Sequence, residues 1–349
     1  MSDARILGIK PVKLPVSDLA RSPASGTRRS STHPWGGCWS STTRTASSCT
    51  STATSATAST RPPDPATAAP STPCLVVARR EPMDPDPLMA DPRGARIAWI
   101  TIAPVKSLAL RSLPDALLGR DGVAGDRAFH LIDDAGRLVN GKRHGRLMLV
   151  RPEIGDGRLA LRFPDGTVID GAPELGEPVT TGFYGRPVGG RLVRGPWSQA
   201  LSDYARIGLR LVRVERPGDG VDRGSQAAAT LLGTGSLDAL AAAGGLDRRP
   251  DPRRFRMLLG VDGIAPHAED GWLGRRVRVG GAVVVPQGNV GRCVVTTYDP
   301  GTAGSDLDTL HLLAGYRADV DTTEALPFGI WAEVARPGRV AVGDPVAVD

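Results

Sequence analysis

Cysteine and lysine are both scarce in this chain of 349 residues, and each scarcity narrows what the protein can do. Four cysteines occur, Cys38, Cys49, Cys74 and Cys293, and no two stand in a C-x-x-C pair. That argues against zinc ribbons and iron–sulfur clusters, which need closely spaced thiolates. The five histidines, His33, His130, His144, His267 and His311, show no metal-ligand spacing either. A Gly-rich dinucleotide fingerprint is missing, so a bound nicotinamide or flavin dinucleotide is not expected. No apolar run approaches the ~18 residues that a membrane span requires. The N-terminus has no apolar secretory segment, and a cytoplasmic setting is the expectation. Aromatic residues make up only 4% of the chain.

The charge that is present comes mostly from arginine. The formal net charge is +6, yet the only lysines are Lys10, Lys13, Lys106 and Lys142. No Lys/Arg run is interleaved with aromatics, so nucleic acid is not an expected partner. A pocket for a phosphorylated or otherwise anionic ligand is the better reading of the basic excess. In so arginine-biased a chain, a retained lysine draws attention to Lys106 and Lys142.

Composition divides the chain. From about Arg21 to Pro73 it is dominated by Ser, Thr, Ala, Pro and Arg. Such a stretch buries too little apolar surface to offset its ordering entropy, so residues 1–90 are expected to form a disordered low-complexity tail. The first twenty residues, with Val12-Lys13-Leu14-Pro15-Val16-Ser17-Asp18-Leu19, resemble the opening of a glyoxalase-like domain. That likeness stops near Ser22, which a frameshift or misassigned start would explain, with Met83 or Met89 as the natural beginning.

Beyond residue 90 the pattern is that of short strands. Ile97–Ile102, Phe129–Ile132, Leu147–Val150 and Leu159–Phe163 read as strands, and Pro164-Asp165-Gly166 as a turn into Val168-Ile169. Val277–Val279, Val283–Val285, Val290–Thr297 and Val340–Val348 continue the series. Helices are few. Trp197, Leu201 and Tyr204 share one helical face behind Pro196, an expected first-turn proline. Ser236 is expected to cap a short helix ending at Ala243, and Asp306 or Asp308 to start another carrying Leu310, Leu313 and Arg317. The fold class is mainly β with a few short helices (α+β). Two β-barrel-like modules are expected, at 95–190 and 195–349.

Cys293 is the lone cysteine of this part. Strand alternation would put it on one face with Val295, opposite Arg292 and Val294. A solitary cysteine on an apolar face is commonly an inert core residue. Beside Arg292 its thiolate is favoured, which suits a nucleophile or a soft-metal ligand.

The segment Arg254-Phe255-Arg256, Val261-Asp262-Gly263, Ala268-Glu269-Asp270-Gly271-Trp272, Gly291-Arg292-Cys293 and Thr296-Thr297-Tyr298-Asp299-Pro300 resembles the MOSC domain. That domain ends molybdenum-cofactor sulfurases and occurs in mitochondrial amidoxime-reducing components. Upstream, Ala103-Pro104-Val105-Lys106-Ser107 and Gly122–Arg127 resemble the β-barrel module that precedes it. The resemblance spans roughly residues 95–349 and implies a molybdopterin-type molybdenum cofactor. It further implies that Cys293 ligates molybdenum and is catalytic. Lys106, Ser107, Arg127 and Arg256 would contact the pterin, and Arg292 would belong to the same site. The expected activity is that of an oxidoreductase on a small N-hydroxylated or related substrate, fed by an external reductase or ferredoxin-like electron donor. The alternative is a sulfur carrier or cofactor-handling protein with a persulfide on Cys293. Taken singly, Arg127 and Arg256 could instead be structural partners of Asp126 or Glu269, and Trp99 and Trp272 read as core. Two departures stand out: Met257-Leu258 replaces a Pro-Asn pair, and Gln226-Ala227-Ala228 replaces Ser/Thr residues.

Overall fold

The computed structural model describes residues 94–349, apart from residue 323; the expected tail at 1–90 lies outside the described residues. The chain opens with β1 (Arg96–Ile102), β2 (Arg111–Leu113), β3 (Asp115–Gly119) and β4 (Gly122–Val123). Next come β5 (Phe129–Ile132), β6 (Leu138–Val139), β7 (Arg151–Gly155), β8 (Arg158–Arg162), β9 (Val168–Gly171), β10 (Glu174–Phe183) and β11 (Arg186–Arg194). Helix α1 (Trp197–Ala205) and β12 (Arg210–Val214) close this half. The second half runs β13 (Ala229–Gly233), α2 (Thr234–Ala243), β14 (Leu259–Asp262), β15 (Val277–Val279), β16 (Ala282–Gly291), α3 (Thr309–Tyr316), β17 (Pro327–Arg336), β18 (Gly338–Ala341) and β19 (Val346–Val348).

The fold is mostly β, as the strand pattern implied. An eight-stranded sheet has the order β19-β15-β16-β17-β13-β14-β1-β2, and a five-stranded one the order β10-β11-β12-β5-β6. Two three-stranded sheets, β18-β3-β4 and β7-β8-β9, complete it. The two halves share strands. β1 and β2 join the large sheet beside β14, while β12 sits between β11 and β5, well past residue 190. The one parallel pair among these ladders, β13 with β14, is connected through α2, as parallel neighbours require a crossover.

Alternation explains β1. Ile97, Ile100 and Ile102 enter the core of the large sheet with Leu231, Leu259, Val261 and Ile330, each with almost no exposed surface. A bulge between Ile97 and Trp99 resets the register and puts Trp99 opposite Gly260. A Cβ at Gly260 would collide with the Trp99 ring, so glycine there makes room for the indole. Trp272 is buried in the same core, and Trp99 packs at the edge of a smaller one around Leu237, Leu240, Phe255 and Phe328. A third core joins Phe129, Leu131, Leu159, Leu161, Trp197 and Leu211.

Three local expectations need correction. Leu147–Val150 was expected as a strand, but Gly145–Leu149 is a 3-10 turn, an ambiguity inherent in short apolar runs. Pro196 is the N-cap of α1 rather than its first residue. Helix α2 begins at Thr234, and Ser236 does not cap it, because its hydroxyl donates to buried Glu269 (2.7 Å) and accepts from the His267 amide (2.9 Å). Asp308 does cap α3, accepting from the His311 amide at 3.1 Å.

Candidate functional site

Two loops from the first half meet beneath one cavity. The loop after β1 carries Lys106 and Ser107, and the loop after β4 carries Asp126 and Arg127. They are laced together: the Ala103 amide donates to Asp126 Oδ1 (2.7 Å) and the Arg127 amide to the Ala103 carbonyl (2.7 Å). Strand β5 fixes the first loop through the Lys106 amide, which donates to the Phe129 carbonyl at 2.8 Å. A third loop descends onto them, so close that a Cβ at Gly220 would overlap the Arg127 carbonyl. Its approach delivers Asp222 to Lys106, and the two form an ion pair. Lys106 is buried and also lies over the Phe183 ring, 5.3 Å from its centroid.

The second half supplies the other wall. Asp251 caps the 3-10 turn Pro252–Phe255, and Arg256 ends it in the left-handed region. Its guanidinium donates to the Leu108 carbonyl (2.8 Å), while Arg127 donates to the Arg256 carbonyl (3.2 Å). Arg256 therefore bridges to the first half instead of pairing with Glu269. Cys293 follows β16. It was expected inside a strand from Val290 to Thr297, but β16 stops at Gly291 and Val294–Thr297 is a 3-10 turn with Cys293 at its N-cap. The reason is local: the Thr296 and Thr297 hydroxyls donate back to the carbonyls of Cys293 (3.0 Å) and Val294 (2.8 Å). Cys293 and Val295 still share an environment, as both line the cavity. Arg292, in the same lining, is anchored to the core, its Nε donating to the Phe328 carbonyl (2.8 Å) and Nη1 to the Phe255 carbonyl (2.9 Å), with Nη2 on Met257 Sδ (3.1 Å).

All six residues singled out from sequence, Lys106, Ser107, Arg127, Arg256, Arg292 and Cys293, line this one cavity of about 200 Å³. Backbone strain concentrates there. Ser107 (φ 77°), Arg127 (φ 50°), Tyr184 (φ 47°) and Arg256 (φ 54°) are four of the nine non-glycine residues with positive φ in the described part. Each such residue costs of order 1 kcal/mol or more, a strain commonly retained at functional sites.

The electrostatics are one-sided. Seven cationic side chains line the cavity against a single carboxylate, Asp222. Lys106, Arg127, Arg223 and Arg254 have carboxylate partners; Arg256, Arg292 and Lys142 have none among the described residues. Burial lowers the pKa of Lys106, Asp222 working against that and Arg127 with it. Burial, then Arg127, brings Arg256 down to about 10, and burial brings Arg292 down to about 9 against the opposing pull of Cys293. Burial raises Asp222, but Lys106, Arg127 and Arg223 outweigh it and hold the carboxyl below its ordinary range. So many desolvated cations create a field that favours an anion.

Family models recognise both halves: the MOSC N-terminal beta barrel domain matches residues 94–180, and the MOSC domain residues 203–347. The chain is a MOSC-domain protein. It is 27% identical over 279 residues to mitochondrial amidoxime-reducing component 1 of Mus musculus, covering 72% of this chain and 81% of that one. It is also 27% identical over 253 residues to the molybdenum cofactor sulfurase of Anopheles gambiae, covering 63% of this chain but only 32% of the sulfurase. The MOSC-domain protein thus spans about a third of that relative. Among solved structures, the YUAD protein from Bacillus subtilis is similar at a TM-score of 0.34 and 14% identity, over 72% of this chain and 93% of that one, too distant to bear on function.

Several residues of the MOSC cavity escaped the sequence reading. Asp222 sits in a Gly-rich loop whose path only tertiary packing sets. Tyr184, 58% exposed at the tip between β10 and β11, lines the mouth with Lys142 over its ring at 5.4 Å. Burial, Asp222 and Cys293 raise its hydroxyl to about 12, so it stays protonated at neutral pH. An aromatic residue next to a turn glycine was the available signal. Met257 and Ala227, the two departures noted above, form apolar parts of the wall. Among the described residues no helix is long and apolar enough to cross a membrane.

Proposed function

We propose that this MOSC-domain protein binds a molybdopterin-type molybdenum cofactor and acts as an oxidoreductase on a small N-hydroxylated or related substrate. The observation that carries the reading is the convergence of one cysteine and a carboxylate-poor set of cations on one strained cavity. The donor set fits such a cofactor. Phosphate and pterin oxygens are acceptors, and Lys106, Ser107, Arg127 and Arg256 offer donors, three of them charged. Among the described residues no group of three His, Cys, Asp or Glu side chains could hold a metal ion. The described residues therefore offer molybdenum one thiolate, Cys293, and the remaining sulfur would arrive with the cofactor. When bound, the cofactor supplies two-electron oxygen-atom chemistry.

The roles of the chain's own groups follow from their contacts. Lys106 and Arg127 are held by Asp222 and Asp126, so they are oriented before any ligand enters. Arg292 donates to core carbonyls, which fixes the start of the Cys293 loop and leaves its charge beside the sulfur. Tyr184 and Lys142 stand at the mouth, where a small polar substrate would pass. Electrons would come from a separate donor protein.

The test is the molybdenum and pterin content of the full chain and of Cys293→Ser, both made in a host that produces the cofactor. Molybdenum with pterin in the parent and loss of molybdenum in the variant are expected. Neither component in a folded parent would overturn the reading. Sulfur carriage on Cys293 is a second reading, favoured by the apolar Met257 and Ala227 in the wall. It predicts a mass gain of one sulfur atom on Cys293 after exposure to a sulfur donor.

A further inference from the structure

Next to the proposed cofactor cavity lies a larger one, of about 440 Å³, which shares Met148, Arg254 and Arg256 with it. No carboxylate lines it, and five arginines do. Two of those are already matched: Arg253 pairs with Asp251, and Arg254 forks onto both oxygens of Asp306 at 2.7 and 2.6 Å. Arg256 has only the Leu108 carbonyl.

The remaining two are exposed and stand in a like-charge arrangement that only solvent screening offsets. Arg151 opens β7 and Arg162 closes β8, and the register places them directly opposite each other. Directly opposed residues of an antiparallel pair share a face, with Cβ atoms about 4.5–5.5 Å apart, where like charges repel. Neither has an ion-pair partner among the described residues, and both line the cavity. Solvent screening would let one such arginine be an ordinary surface charge. An opposed pair, aimed with Arg256 into a concave space, is the geometry that grips a phosphate by paired guanidinium forks. The lining also includes Phe163, Tyr298 and Pro300, and the volume exceeds what a bare ion would fill.

We propose that this cavity is a second ligand site, for a small phosphate ester of about nucleotide size, gripped by Arg151 and Arg162 with Arg256 as third donor. Arg151 and Arg162 do not line the neighbouring cavity, so their grip does not depend on a molybdenum cofactor there; Arg256 lines both and is the shared donor.

Inorganic pyrophosphate is the probe, titrated calorimetrically into the full chain and three variants. The parent is expected to bind it, and Arg151→Ala/Arg162→Ala to bind at least about tenfold more weakly, given the usual worth of charged hydrogen bonds. Lys106→Ala alters only the neighbouring cavity, which itself offers donors to phosphate, so it should retain the component of pyrophosphate binding that the double alanine variant removes. Arg162→Glu is the variant a mere surface role would not predict. Facing Arg151 it forms a cross-strand ion pair, so it should raise the ligand-free melting temperature while losing pyrophosphate. No binding by the folded parent, equal binding by the double alanine variant, or loss of binding in Lys106→Ala instead would each overturn the proposal.

Discussion

Two pairs of cations in the walls of the cofactor cavity are held by different means. In the wall from the first half, Lys106 and Arg127 are matched by Asp222 and Asp126. In the wall from the second half, Arg256 and Arg292 donate only to neutral acceptors, the carbonyls of Leu108, Phe255 and Phe328 and the Met257 sulfur. A carboxylate neutralises the charge it orients. A carbonyl orients without neutralising, so the field survives into the cavity. The first wall is thus an aligned set of donors, and the second a source of positive potential beside Cys293.

The sharpest way to break that contrast is to remove one cation from each wall. Arg292→Met would strip donors from two core carbonyls and is expected to destabilise by about 3 kcal/mol or more, read by denaturant unfolding. Lys106→Met leaves Asp222, whose side chain is 47% exposed and can be solvated, so a loss of about 1–2 kcal/mol is expected. The reverse order would show that the carboxylates, not the carbonyls, bear the structural load.

Acid sharpens the comparison next, because each half holds a neutral histidine, His130 buried and His267 half-buried. Burial, then Lys106, lowers His130 to about 4; burial, then Arg317, lowers His267 to about 4. Both folded-state values lie below the unfolded 6.5, so the unfolded chain binds more protons in between. Stability is therefore full above about 6.5 and falls as pH drops toward about 4, by up to ~1.4 kcal/mol per pH unit for each histidine. His130→Gln should remove about half of that slope in unfolding measured across this range.

The second half also holds Glu269, away from the cavity lining, fully buried and accepting from the Gly233 amide (3.0 Å) and Ser236 hydroxyl (2.7 Å), with Oε2 lacking a partner. Burial raises its pKa, so its contribution is present below 4.5 and lost as pH rises. Glu269→Gln should gain on the parent as pH rises above 4.5, in the same unfolding experiment; a constant difference would place an unshifted carboxyl there. The smallest effect is expected at the mouth. Tyr184→Ala should change stability by less than about 0.5 kcal/mol, its side chain being mostly exposed. Under the proposed function it raises KM with little change in kcat.

A strand with a clean alternating face such as β8 was legible because period-two burial is written directly into the residue order, while β1 was legible as an apolar run although a bulge breaks its alternation. The six site residues were reached through their motifs, and the cavity that gathers them could not have been derived from spacing. Val290–Thr297 misled for a physical reason: β-branched residues favour a strand, but two threonine hydroxyls returning to nearby carbonyls favour a turn. Asp299 behaved as a turn former should, accepting from the Gly301 and Thr302 amides at 2.8 Å. Asp222 and Tyr184 stayed invisible because their loops acquire meaning only when Gly220 or a hairpin brings them to the cavity. Arg151 and Arg162 were hidden in the same way, eleven positions apart and adjacent only through the register of β7 and β8.

The described chain begins and ends in one place. The Val346 amide donates to the Ala95 carbonyl and the Ile97 amide to the Asp344 carbonyl, each at 2.9 Å, while β18 pairs with β3. Such a fold is a closed ring with a seam, and the seam could be moved. A short linker from Asp349 to Ala95, with new ends opened at the exposed Asp156-Gly157 turn, would give a circular permutant retaining every sheet pairing described above. In that permutant the seam would fall at the tip of the β7–β8 hairpin, at the opposite end of the two strands from Arg151 and Arg162 and outside the lining of either cavity.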